Sequence, residues 1–402
     1  MSDNDNSIDS QQSRISFPEK AQSASLEAAF SIEYNHRLMF TQNVFDPNNS
    51  ILTDLLEPTC DNRAKVAVFI DSGVVNTNST IIDRINAFMR ARTDRIELAG
   101  DVQVVPGSEE IKNVHRNVEL ILKDISQFGL CRKSYMIVIG GGAVLDAVGF
   151  AASMAHRGIR LIRIATTTMS QCDSAMGVKN SINAFDKKNF LGFFTVPWAV
   201  INDESLLRSL SDRDWLQGFS EIVKVALLKD KQLFETVVQN AEQIRDRDLQ
   251  TAIPLIRASA KLHLEHITLN GDPFELLNAR PLDFGHWSAH KLEQMTHFEL
   301  GHGQAVAIGL AIDVTYSNLM GWLSNADHQQ IINTLQQLGF KLFDPVMEHT
   351  SYILKGLDEF REHLGGKLTI PMLKGIGEPF DIHEIDNNQM RNAITYLADL
   401  PV

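Results

Sequence analysis

The sequence is poor in cysteine, in positive charge and in long apolar runs, and each shortage removes a class of protein. Its three cysteines, Cys60, Cys131 and Cys172, are odd in number and widely spaced. That argues against a disulfide framework or a cysteine zinc cluster, and it suits a reducing cytoplasm. No apolar run approaches the roughly 18 residues that a membrane helix needs, so no membrane partner is expected. The opening residues, Met1 to Ser10, lack the basic and apolar regions of a secretory signal. Lysine and arginine number 37 against 50 aspartates and glutamates, a formal charge of −13. Such a chain is a poor partner for nucleic acid. If it takes an anionic metabolite, it must gather the cations locally. The GxGxxG dinucleotide fingerprint and internal repeats are also absent.

What is present is an ordinary globular composition, 44% apolar and 22% charged over 402 residues, long enough for two domains or more. Residues 1–25 are rich in Ser, Asn, Asp and Gln and are expected to be disordered. Short strands are expected over 30–56. Buried strands are expected at 65–71, 96–105, 134–140 and 160–165, alternating with helices at 80–92, 110–127 and 143–156. That alternation predicts an α/β domain with a parallel sheet over 26–205. From 206 to 402 the pattern is helical, with helices at 212–226, 231–246, 249–266, 285–295, 303–320 and 328–338.

Several motifs carry possible chemistry, each beside a plainer reading. Gly140-Gly141-Gly142 follows a strand and opens a helix, so backbone amides there could meet a pyrophosphate. The same glycines would also make a tight turn. The segment 165–180 reads as a polar loop at the carboxyl edge of the sheet, where ligands of such folds bind, or as a solvated loop. His156-Arg157-Gly158 and Lys187-Lys188-Asn189 offer cations for a phosphate, or plain surface. Glu221 and Lys224 are three apart on an apolar helix, either an ion pair or a ligand beside a cation. His286 and His290, four apart, share a helix face and could present imidazoles to a divalent metal. His302 follows, with His297 in a loop between the two helices.

Taken together, Gly140-Gly-Gly with Asp146, Arg157-Gly, Thr166-Thr167, Asp173-Ser with Gly177-Val-Lys179, Lys188-Asn189, Glu221-x-x-Lys224, Gly285-His286-x-x-x-His290 and His302-Gly occur in one order from about residue 65 to 320. In that order and spacing the chain resembles the 3-dehydroquinate synthase family of sugar phosphate cyclases, on the side of the 2-epi-5-epi-valiolone synthases or of the dehydroquinate-synthase-like cyclases of ebo-type clusters. The resemblance implies a Rossmann-like N-terminal domain, an all-α C-terminal domain, bound NAD and one divalent metal, zinc with cobalt as a possible substitute. It implies Glu221, His286 and His302 as metal ligands, which moves His290 to a substrate and proton-relay role. NAD would be held by Asp71, Glu109, Lys112, Gly141, Gly142, Asp146, Thr166, Thr167, Asp173, Lys179 and Asp214. Substrate would meet Asp173, Lys179, Asn189, Lys224 and His290. Arg157 would reach the phosphate in the neighbouring site of a cytoplasmic homodimer.

One stretch departs from the synthase pattern. Where the family carries an arginine and an asparagine toward the substrate carboxylate, this chain has Ala279 and Asp283, with Arg280 one position out. A carboxylate facing a carboxylate is repulsive. The expected substrate is therefore an uncharged heptulose 7-phosphate, sedoheptulose 7-phosphate favoured. The expected course is transient oxidation, phosphate elimination, re-reduction and intramolecular aldol closure to a cyclitol. The alternatives are 3-dehydroquinate synthase itself, an NAD-dependent polyol dehydrogenase, and a dinucleotide-binding regulator with a decayed site. Lys261, His363 and Lys367 are further candidate cations whose roles stay open.

Overall fold

The apolar runs of the first half become a parallel sheet, because strands covered by helices on both faces need no polar side. The computed structural model describes residues 27–59, 62–185, 187–269, 273–274 and 281–400. Its strands are β1 (Leu38–Thr41), β2 (Ala64–Asp71), β3 (Ile96–Leu98), β4 (Gln103–Val105), β5 (Tyr135–Gly140), β6 (Arg160–Ala165), β7 (Lys179–Ala184), β8 (Lys187–Phe194) and β9 (Ala199–Asp203). The main sheet runs β1-β9-β6-β5-β2-β3, with β4 also on β2, and every pairing in it is parallel. Val66, Val68, Ile70, Ile137, Ile139, Ile162 and Ile164 fill one face. Ala67, Phe69, Met136, Val138 and Leu161 fill the other. The helices of this half are α1 (Ile51–Asp54), α2 (Ser72–Thr77), α3 (Ile81–Arg90), α4 (Glu110–Asn113), α5 (His115–Gln127), α6 (Gly142–Met154) and α7 (Thr168–Cys172).

After β9 the chain is mainly helical: α8 (Asp212–Lys229), α9 (Lys231–Gln239), α10 (Ala241–Arg245), α11 (Leu249–Leu269), α12 (His286–Met295), α13 (His302–Leu319), α14 (Asn325–Leu338), α15 (Thr350–His363) and α16 (Asn387–Ala398). From His36 onward the described chain is one compact unit. We propose a domain division near residue 205, where the sheet ends. Residues 27–35 carry no helix or strand.

The structure corrects the sequence reading at several places. The single strand expected at 96–105 is two, β3 and β4, and the single helices expected at 110–127 and 231–246 are each two. Of the strands expected over 30–56 only β1 forms, and α1 follows it. The segment 165–180 is not a loop: Thr167 caps α7, with Ser170 returning the bond, and β7 begins at Lys179. The C-terminal half is not wholly helical, since β10 (Ile370–Gly375) and β11 (Glu378–Ile382) form an antiparallel hairpin. The expected disorder of 1–25 lies outside the described residues.

Two contacts fix the helices that matter for the site. Gly285 caps α12 at φ 77°, a left-handed backbone that favours glycine, and a Cβ there would stand 2.8 Å from Leu310 N. A Cβ on Gly309 would lie 1.9 Å from Gly285 O. The α12 start and α13 therefore touch backbone to backbone. Asp313 on α13, fully buried, locks the junction: it accepts from Gly285 N at 2.9 Å and from Trp287 Nε1 at 2.8 Å. Burial pushes the Asp313 carboxyl up to about 7.

Candidate active site

Three helices converge on one buried carboxylate. Ser211 caps α8, and Gly218 lets α8 lie against α7, since a Cβ there would come within 2.5 Å of Met169 N. This seats Glu221, which is fully buried. His286 Nε2 and His302 Nε2 face its Oε1 at 3.6 and 3.5 Å. Donor atoms of the three residues all lie within 4.8 Å of one another. Lys224 Nζ stands 2.5 Å from Oε2, but off the line of a hydrogen bond, so both Glu221 oxygens are buried without one. A buried carboxylate lacking hydrogen bonds, faced by two imidazole nitrogens, fits a divalent cation.

The far side of each imidazole is held. His286 Nδ1 lies 3.0 Å from Phe284 O, and His302 Nδ1 lies 3.1 Å from Glu293 Oε2. Both contacts favour the tautomer that leaves Nε2 free to ligate. Burial would raise the Glu221 carboxyl, but Lys224 and the two histidines outweigh it and hold it well below its usual range. Burial would likewise lower His302, but Glu293 and Glu221 push it up to about 9. Lys224 stays charged: against burial, Glu221, Asp173 and Asp283 raise its pKa. His290 stacks 6.0 Å from His302 and is the member open to solvent, although protein stands close around it. Loss of hydration, then His286, hold its pKa well below the usual value. Asp283, partly exposed in the turn Pro281–Asp283, is felt at both Lys224 and His286.

Asp173 joins this cluster electrostatically and meets His263 Nδ1 at 2.6 Å. Its segment is shaped by Arg163 on β6, a fully buried cation. Arg163 donates to the carbonyls of Ala175, Gly177 and Lys179 and to Asn180 Oδ1, at 2.9, 2.6, 3.0 and 2.7 Å.

A second set gathers between the sheet and the β7–β8 hairpin. Buried Lys112 donates to Asp146 Oδ2 at 3.0 Å and to Asn189 Oδ1. Asn183 donates to Glu109 Oε1 at 3.0 Å and accepts from the Asn189 amide at 2.8 Å. Asn189 is held left-handed at φ 54°. At the start of α6, Gly142 faces the buried, unpartnered hydroxyl of Ser174; a Cβ there would come within 2.7 Å of it. An orphaned hydroxyl at a helix start fits a pyrophosphate. Asp71 accepts from Gly73 N at 2.7 Å, and Thr166 N bonds Gly140 O at 3.1 Å. Thr167 caps α7 beside Gly141, where a Cβ would stand 3.1 Å from its Cγ2.

Other expected residues lie at the surface. Asp214 is exposed at the start of α8, close enough to Asp71 for its charge to raise that carboxyl's pKa after burial does. Lys179 is exposed at the start of β7. Arg157 lies past the far end of the 13-residue α6, about 20 Å from the glycine turn at 1.5 Å per residue. His297 sits in a turn at φ 50°. Lys261 is exposed and pairs with Glu265, and Lys367 is exposed. Ala279, Arg280 and the His363 side chain lie outside the described residues. A cavity of about 600 Å³ lined by His36, Phe40, Arg257 and Lys261 lies at the β1 edge.

The sequence reading missed Glu293, Asn183, Arg163 and His263. Glu293 had a signal: it follows His286 by seven residues on one helix and so shares its face. Arg163, His263 and Asn183 had none, since their partners lie on other elements.

The sequence pattern described as 3-dehydroquinate synthase N-terminal matches residues 102–217, and the C-terminal one matches 218–355. A 2-epi-5-epi-valiolone synthase of Streptomyces glaucescens is 30% identical over 367 residues, 90% of this chain and 91% of that protein. A 3-dehydroquinate synthase of Thermodesulfovibrio yellowstonii is 30% identical over 294 residues, 73% of this chain and 81% of its own. Among solved structures, the 2-epi-5-epi-valiolone synthase of Streptomyces hygroscopicus, with NAD+ and Zn2+ bound, superposes with a TM-score of 0.84 at 24% identity, covering 93% of this chain and 99% of that one. A 2-deoxy-scyllo-inosose synthase with carbaglucose-6-phosphate, NAD+ and Co2+ follows at 0.73 and 21%, covering 89% and 95%.

Proposed function

Because the chain belongs to the 3-dehydroquinate synthase family, we propose that it is a sugar phosphate cyclase that turns an uncharged heptulose 7-phosphate, sedoheptulose 7-phosphate favoured, into a cyclitol with loss of phosphate. The observation that carries the substrate choice is Asp283, whose charge reaches Lys224 and His286 beside the buried cluster. A like charge on the substrate at that place would be repelled, which disfavours a carboxylated substrate.

In this reading Glu221, His286 and His302 hold a divalent ion, zinc by analogy with the solved relative, and the second set holds NAD. When bound, these groups supply Lewis acidity and a reversible hydride acceptor. The protein's own share is placement. Lys224 keeps a buried positive charge beside developing negative charge on the substrate. His290, neutral and open to solvent, can take a proton and pass it on. Asn189, Lys179 and Asp173 orient the sugar phosphate, so that ring closure is intramolecular. Arg157, too far from its own glycine turn, serves the phosphate of the neighbouring subunit in a homodimer. Among the described residues no helix is long and apolar enough to cross a membrane.

The test is phosphate release from sedoheptulose 7-phosphate and from the carboxylated heptulosonate, with product NMR. Turnover of the first with no net NADH is expected. Turnover of the heptulosonate alone would make the protein a 3-dehydroquinate synthase, and accumulation of NADH with a simple polyol would make it a dehydrogenase.

A further inference from the structure

Glu293 has no part in the reading above, and Lys188 entered it only as one of a basic pair. Together they join its two halves. Glu293, 3% exposed on α12, takes His302 Nδ1 on Oε2 at 3.1 Å and Lys188 Nζ on Oε1 at 2.5 Å. Lys188 lies on β8 next to Asn189, whose left-handed backbone closes the second set of residues. A desolvated carboxylate bonded on both oxygens has little rotamer freedom, and each partner helps to hold it for the other.

We propose that the Lys188–Glu293–His302 chain is a positioning device that couples metal occupancy at Glu221, His286 and His302 to the order of the β7–β8 hairpin. The inference rests on the metal reading above. A cation on His302 Nε2 fixes that ring, the ring fixes Glu293, and Lys188 then finds its acceptor already in place. By linkage, seating the hairpin strengthens metal binding by the same factor.

The test uses the full-length protein stripped with a chelator. Zinc affinity is measured against a chromophoric competitor, and amide hydrogen exchange over 187–194 is followed with and without zinc. In the wild type zinc slows exchange there by at least about fivefold. Glu293→Gln weakens zinc binding by about 10- to 100-fold, the usual cost of losing a carboxylate behind a ligating histidine, and leaves hairpin exchange unresponsive even at saturation. Lys188→Met removes the hairpin response while zinc affinity falls only by the coupling factor, and Lys188→Arg restores the response. Zinc protection of the hairpin persisting in Lys188→Met overturns the proposal, even if Glu293→Gln does not fold. So does a Glu293→Gln protein that loosens the hairpin equally with and without zinc at unchanged zinc affinity, the mark of a merely structural role. Because His290, Glu293 and His302 also present donors within 4.8 Å of one another, complete loss of zinc binding in Glu293→Gln would make Glu293 a ligand and end the positioning account. A wild type that binds no zinc refutes the metal reading itself.

Discussion

Glu221, His286 and His302 stand on helices packed into the main hydrophobic core, whereas Lys188 and Asn189 ride a two-stranded hairpin whose β8 is mostly exposed. At the helical end, backbone contacts at Gly218, Gly285 and Gly309 set the geometry, and the cost falls on a desolvated carboxylate. At the hairpin end, side-chain bonds from Lys112, Asn183 and Ser181 (whose Oγ donates to Asn189 Oδ1 at 3.0 Å) set it, and the cost falls on Asn189. A non-glycine residue in left-handed backbone costs on the order of 1 kcal/mol or more. The first end rests on backbone packing between helices. The second depends on a few polar contacts and should yield by degrees.

The hardest blow to this contrast is to the helical end. Glu221→Ala or His302→Ala should abolish metal binding, because three protein ligands are the usual set. Metal content near wild type in both variants, by plasma mass spectrometry, would dissolve the site. Next comes Asp313 beneath the α12 start. Its folded pKa of about 7 lies above the unfolded value of 3.8. Between those values the folded state keeps a proton that the unfolded state has lost, so stability falls as pH rises through that window. Wild type should lose about 3 kcal/mol between pH 5 and pH 8 beyond any loss in Asp313→Asn, at 1.36 kcal/mol per pH unit. Parallel urea curves for the two proteins would contradict that burial account.

Asp283→Asn works in the turn before α12, beside the helical cluster. The ratio of kcat/KM for sedoheptulose 7-phosphate over the carboxylated heptulosonate should fall by at least about tenfold; an unchanged ratio removes the charge argument. Smallest is the expected effect of Lys112→Met at the hairpin end. It should weaken NAD binding by roughly three- to tenfold, as loss of one charge-assisted contact does, and leave metal content alone. If it instead emptied the metal site, the two ends would not be separable.

The sequence revealed what depends on local pattern. The buried strands at 65–71, 134–140 and 160–165 and the long helices after 205 all announce themselves by period, and the structure has them. The spacing of His286 and His290 pointed to a shared face, which is correct, but the cluster around Glu221 takes His286 with the more distant His302. Helix period cannot see a partner that arrives on the next helix. The loop expected at 165–180 failed for a related reason. Its polar residues are absorbed by a capping box at Thr167 and Ser170 and by Arg163, whose four acceptors are invisible until β6 is placed beside them. The β10–β11 hairpin was missed because Pro371 and Pro379 break a strand pattern that only the pairing restores.

Trp287 turns the α12 junction into an optical reporter. It is one of four tryptophans, it follows His286 directly, and its indole is 1% exposed with Nε1 on Asp313. A charge gained at the neighbouring imidazole, or a proton lost from the carboxyl below, would alter the electric field across the ring and shift its emission. The protein thus carries a native fluorophore at the junction of α12 and α13.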